Sequence, residues 1–271
     1  MRASVFVSVV AVLAGVQASA ATLVGRWDLE NNLNPTTGSA PLAAGVTPVT
    51  YQPVTINGQS GTAAVWPQGT RAANDEQFFT ITNPIGANGG GTATNQYSLV
   101  MDVNFAAPGG NDGYTSLAQT ATDPHGNDGD LFVRDDGGAG ISGDYSDTGN
   151  ALRFPYGQWV RIVWTVDTAT APGAGSGYRV YFNGQLHNVV QSPSGWGVDG
   201  RFSLGNVLHV FADEDGETNA GSLSTLMLYN GALTADEVAA LGGPEAAAVP
   251  EPAACGLALL GAVPLLARRR R

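Results

Sequence analysis

The sequence contains no lysine and a single cysteine, Cys255, in 271 residues. One thiol excludes an internal disulfide, a CxxC redox centre and a thiolate zinc site. The three histidines, His125, His187 and His209, show neither HExxH nor another metal-ligand spacing. No Ser stands in a GxSxG turn and no GxxxxGK[ST] loop occurs, so serine-hydrolase and P-loop chemistry have no motif to rest on. All twelve basic residues are Arg, and five of them, Arg2 and Arg268 to Arg271, lie at the termini. Between Ala21 and Val249 seven Arg face 22 acids, a net charge of −15. A body that acidic is repelled by a phosphate backbone and lacks a basic stripe, which excludes nucleic acid as a partner. Charged residues make up only 13% of the chain while apolar residues make up 43%, enough to bury a core. Thirty-seven Gly and fifteen Pro are too many for a helical protein and too few for a collagen-like one.

The two ends read as addresses. Arg2, the apolar stretch Val5 to Val16 and the small residues Ala18-Ser19-Ala20 form the pattern of a cleaved secretory signal over residues 1–20, with cleavage marked by Ala18 and Ala20. At the other end Val249-Pro250-Glu251-Pro252 precedes an apolar run, Ala253 to Ala267, and then Arg268, Arg269, Arg270 and Arg271. Fifteen residues make roughly 22 Å of helix against about 30 Å of hydrocarbon, a marginal membrane anchor. The Arg cluster stays cytoplasmic and leaves the body outside. Pro-Glu-Pro, a short apolar helix and a terminal Arg cluster resemble the PEP-CTERM sorting signal. The resemblance implies an exosortase-type processing enzyme as partner, transient membrane anchoring through residues 244–271, and a destination at the cell surface, matrix or envelope.

The body, residues 21–243, reads as one β domain. Tyr97, Leu99, Met101, Val103 and Phe105 alternate with Ser98, Asp102 and Asn104, the period of a strand with one apolar face. Gln158 to Asp167 is apolar on both faces, as a strand inside a sandwich is. Tyr178 to Phe182 meets Asn183-Gly184 and then Leu186 to Val190, a two-residue hairpin signal. Further strands are expected at Leu23 to Leu29, Phe78 to Thr82, Leu131 to Arg134, Val207 to Ala212 and Ser222 to Tyr229. One helix is expected, capped by Thr234, with Glu237 completing a capping box and Gly242-Gly243 ending it. The strand around Tyr97-Ser98-Leu99, then Trp159-Val160-Arg161, then Tyr181-Phe182-Asn183-Gly184, with the closing run Leu226 to Val238, resembles the LamG-like, concanavalin-type jelly roll. The resemblance implies an all-β, two-sheet antiparallel sandwich with one short late helix; it speaks for a fold more than a function.

Chemistry concentrates in Asp213-Glu214-Asp215-Gly216-Glu217-Thr218-Asn219. Continued as a strand, it projects Asp213, Asp215 and Glu217 from one face. Turned at Gly216, it brings the same oxygens toward one calcium ion, which wants six to eight of them. The bland alternative is a solvated acidic loop. Calcium bound by loop acids at the sandwich rim is also what the LamG-like resemblance implies. Laminarinase-type glycoside hydrolases, which share that fold, carry a Glu-x-Asp-x-Glu strand; here Asp213 replaces the first Glu and Gly216 interrupts the strand. A second stretch, Asp123 to Asp130, offers Asp128 and Asp130 as metal ligands or, more plainly, a turn. Trp196 is the candidate sugar-stacking platform, while Trp27, Trp159 and Trp164 are expected in the core. The sequence therefore leads to an exported, non-enzymatic jelly-roll protein that binds glycan or matrix polysaccharide, with calcium at Asp213, Asp215 and Glu217. A glycoside hydrolase of the same fold and a structural envelope protein are the alternatives.

Overall fold

The computed structural model describes residues 20–38, 40–45, 49–68, 78–146, 151–171 and 177–246. The expected signal segment up to Ser19 and the sorting residues Pro250, Glu251, Pro252 and Arg268 to Arg271 lie outside the described residues. Among the described residues no helix is long and apolar enough to cross a membrane.

The chain opens with β1 (Leu23–Trp27), β2 (Thr37–Gly38), β3 (Ala43–Ala44), β4 (Thr50–Ile56) and β5 (Gln59–Trp66). It continues through β6 (Phe79–Thr82), β7 (Gln96–Phe105), β8 (Tyr114–Ala118), β9 (Leu131–Arg134) and β10 (Ala139–Gly140). The last third holds β11 (Val160–Asp167), β12 (Tyr178–Phe182), β13 (Gln185–Val189), β14 (Val207–Val210), β15 (Gly221–Tyr229) and the helix α1 (Ala235–Leu241). Every strand pairing is antiparallel. One large sheet runs β13-β12-β11-β7-β15-β1-β2. Along one edge of β15, residues Leu226 to Tyr229 pair with β1 while Gly221 to Leu223 pair with β5, which carries β4. The facing layer consists of β10-β9-β8 and β14-β6-β3. Gln119 and His209 exchange two backbone hydrogen bonds of 2.9 Å that join the two groups. The result is an all-β, two-layer jelly-roll sandwich with one short helix.

Pleat and burial agree along the two central strands. Tyr97, Leu99, Met101, Val103 and Phe105 of β7, with Ile162, Trp164 and Val166 of β11, face the inter-sheet core. The alternate residues Val100 and Val163 are also buried, because Leu233 and Val238 around α1 cover them from outside. This explains why β11 reads apolar on both faces. Both two-residue hairpins use Asn-Gly with positive φ at each position, Asn57-Gly58 between β4 and β5 and Asn183-Gly184 between β12 and β13. The helix begins as expected: Thr234 Oγ1 accepts from the Glu237 amide and Glu237 Oε2 accepts from the Thr234 amide. Trp27 and Trp164 are buried, but Trp159 precedes β11 and stays half-buried, outside the core. The strand alternation starts one residue after it.

On the outer face of the large sheet, Arg161 of β11 grips Asp102 of β7 with Nε and Nη2 at 2.8 and 2.7 Å, both side chains buried. The pair also holds the segment after α1. Arg161 donates to the Leu241 carbonyl, and the Glu245 amide donates to Asp102. Asn57 reaches the Pro244 carbonyl at 2.7 Å, Ser224 the Glu245 carbonyl, and Arg26 the Glu245 carboxylate at 3.3 Å.

Candidate acidic site

After β14 the backbone turns with Phe211 and Gly216 both at φ 63°. Gly216 takes this left-handed conformation without a Cβ penalty. Residues Asp213 to Asn219 therefore form no strand, and the arrangement of Asp213, Asp215 and Glu217 on one pleated face does not arise. The segment is held instead by β8 and the loop before it. The Ser116 amide donates to the Glu217 carbonyl at 2.6 Å, Ser116 Oγ to the Ala212 carbonyl at 2.7 Å, and Asn111 Nδ2 to the Gly216 carbonyl.

Asp213 is buried, and its carboxylate accepts from two backbone amides, Asp215 on one oxygen and Gly129 on the other, each at 2.9 Å. The second contact draws in the 123–130 segment. Gly129 has no room for a side chain, since a Cβ there would sit 2.5 Å from Ser116 Oγ. Arg201 fixes the same segment, donating to the Gly129 carbonyl at 2.6 Å and approaching Asp128 at 3.5 Å. The outcome is a trio, Asp128, Asp213 and Glu217, with one carboxylate oxygen from each within 4.8 Å of the others.

Two of the residues expected from the sequence, Asp213 and Glu217, thus come together. Asp215 is outside the trio, and Asp128, 85 residues upstream of Asp213, takes its place. Asp130 is not a member either. It is fully buried, paired with Arg201 Nε at 2.6 Å and accepting from the Thr120 amide and hydroxyl. Residues 123–127 form the expected turn, closed by the Gly126 amide on the Asp123 carbonyl. Trp196 is half-buried, its ring against Phe202 and Tyr178 and its Nε1 donating to the Thr170 carbonyl at 2.9 Å. It packs against the edge of the core.

Crowding sets the electrostatics. Burial, then the charges of Asp213, Asp128, Asp215 and Asp112, push the Glu217 carboxyl up to about 8. Burial likewise raises Asp213, against the two amides that favour its ionised form. At neutral pH the trio therefore holds a proton that a cation can displace. Its donors are all carboxylate oxygens, with no imidazole or thiolate, which matches a hard divalent ion such as calcium and supplies three of the six to eight oxygens it needs. The raised Glu217 carboxyl beside Asp213 also sets two carboxyls close together, as glycoside hydrolases do.

No protein-family model matches the chain, and no curated protein matches it. Solved structures do. Domain 4 of AbnA, a GH43 extracellular arabinanase from Geobacillus stearothermophilus, solved in complex with arabinotriose, superposes with a TM-score of 0.54 at 21% identity. That match covers 83% of this chain and 100% of that domain. The shared fold is the jelly-roll sandwich. The binding domain of botulinum neurotoxin DC, in complex with rat synaptotagmin II, gives a TM-score of 0.51 at 10% identity over 82% of this chain. The crystal structure of HCR/D-Sa-GBL1/C gives 0.52 at 10% identity. This chain spans about half the length of those two, at 51% of each.

Proposed function

We propose that this chain is an exported, surface-directed, non-enzymatic jelly-roll module that binds glycan and holds calcium through Asp128, Asp213 and Glu217. The observation that carries the reading is the convergence of three carboxylates, from two loops far apart in sequence, on one oxygen-only site. The fold likeness over the full length of an arabinanase domain bound to arabinotriose supports glycan as the ligand class. The ends support export: residues 1–20 as a cleaved signal, and Pro250-Glu251-Pro252 with Arg268 to Arg271 as a PEP-CTERM-like tail handled by an exosortase-type enzyme.

The hydrolase reading is favoured by one observation, the elevated Glu217 beside Asp213. Against it stands the turn at Gly216, which leaves Asp215 out of the trio and breaks the strand spacing such an enzyme uses. One experiment separates the readings: the full chain on a glycan array and against soluble arabinan and laminarin, in calcium and in chelator. Binding without hydrolysis, weakened by chelator, is expected. Hydrolysis lost in Glu217→Gln would establish the enzyme, and a blank array in both buffers would leave a structural envelope protein.

A further inference from the structure

Beside the acidic trio, β9, the turn that follows β10 and the end of β13 enclose a cleft of about 330 Å³ lined by Arg134, Asp144, Tyr145, Val189 and Gln191, among others. None of these side chains belongs to the trio. The volume lies near the lower end of the ~300–1,000 Å³ of small-ligand sites, room for the end of an oligosaccharide and not for a polymer groove.

The walls are held in place. The Arg134 guanidinium lies 5.3 Å from the centre of the Tyr145 ring and 5.9 Å from that of Tyr114, and those rings are 5.6 Å apart. Cation–π contact fixes a side chain that otherwise samples many rotamers. The backbone of Arg134 is tied to Gly138 and Tyr156. The Asp144 carboxylate accepts from the Gln191 amide at 2.7 Å and lies 3.4 Å from Asn188 Nδ2. A carboxylate has about four acceptor positions, so acceptor capacity remains. The cleft thus offers a donor fork, an acceptor, an amide side chain and aromatic surface, the groups that pair with vicinal hydroxyls and with the C–H face of a sugar ring.

Charge narrows the class of ligand. Arg134 is offset by Asp136 at 3.6 Å and by Asp144, which lines the same cleft. A carboxylated or sulfated sugar would enter against these two carboxylates. A neutral polyol meets no such barrier.

We infer that this cleft is the sugar-binding site, and that it takes a neutral oligosaccharide end through Arg134, Asp144, Tyr145 and Gln191. The inference rests on the glycan-binding reading and goes beyond it by naming the place and the charge of the ligand. The test is nitrogen-15 NMR of the full chain titrated with arabinotriose, cellotriose and trigalacturonate. At least one neutral trisaccharide should shift the amides of Asp144, Tyr145 and Gln191, and trigalacturonate should not. Tyr145→Ala should weaken that binding about tenfold or more, and Gln191→Ala, at an exposed position, should weaken it without touching the fold. Neutral sugars that bind with shifts elsewhere and are indifferent to both variants would overturn the cleft and leave the glycan reading standing. Preference for trigalacturonate would overturn the neutral class. No binding of any of the three would overturn the cleft, and a blank array would remove the glycan reading with it.

Discussion

Replacing Glu217 with Gln should make the protein more stable at alkaline pH. The carboxyl titrates at about 8 in the folded chain against 4.5 for a free side chain, so the folded state holds that proton more tightly than the unfolded state. Stability from this group is complete below 4.5, declines as pH rises, and is lost above about 8. Each pH unit in that window is worth about 1.4 kcal/mol for a fully buried group. Glu217 is half-buried, and screening by solvent reduces the total to about 1–2 kcal/mol. Glu217→Gln keeps the shape and removes the charge. Its melting temperature should match wild type near pH 5 and exceed it near pH 9 by about 2–8 °C, on the scale of 2–4 °C per kcal/mol for a domain of this size. Calcium at a hundredfold excess over Kd should raise wild type by about 2.7 kcal/mol at pH 9, and much less at pH 5, where it competes with the proton. The variant should gain little from calcium at either pH. Scanning calorimetry at both pH values, with calcium and with chelator, measures all four differences. If wild type and Glu217→Gln lose stability in parallel between pH 5 and 9, the crowding argument is wrong.

Two further outcomes are expected. Arg161→Met should cost about 3–5 kcal/mol in urea unfolding because it strands the buried Asp102 charge, whereas Asp102→Leu combined with Arg161→Met should cost much less; equal losses in both would show that the pair contributes by packing alone. In its native cell the mature protein should lack residues 1–20 and the terminal Arg cluster, and an intact Arg271 in mass spectrometry would refute the sorting-tail proposal.

The parts of the fold that were legible in the sequence are those where periodicity meets a local signal. The alternation of β7, the Asn183-Gly184 turn and the Thr234–Glu237 box each carry their structure in a few adjacent residues. The β4–β5 hairpin was missed although Asn57-Gly58 marks it. Among the described residues strand β4 pairs with β5 alone, and it is largely exposed, so it tolerates Pro53 and shows little apolar alternation. Strand β5 is built from small residues that read as loop. In β8 the run Tyr114-Thr115-Ser116 looks polar because Ser116 is a strut for the 212–217 segment. The site was legible in pieces. Asp213, Glu217 and Asp128 all stood out as acids, but spacing within a segment says nothing about a partner 85 residues away. What joins them is one amide, that of Gly129, which no pattern reveals. Arg134, Asp144, Tyr145 and Gln191 carry no motif at all; the turn between β10 and the following loop assembles them.

The grip on residues 241–245 has a mechanical meaning. Were this module anchored through its C-terminal side while holding a glycan elsewhere, as proposed, it would be pulled between those two points. The pull arrives at Leu241, Pro244 and Glu245, and from there it is divided among β1, β7, β11, β15 and the β4–β5 turn through Arg26, Asp102, Arg161, Ser224 and Asn57. Contacts on several strands must yield together under such a load. An attachment at a single edge strand would open one bond at a time, like a zipper, whereas tension entering at residues 241–245 would spread across the middle of the large sheet before any strand could peel.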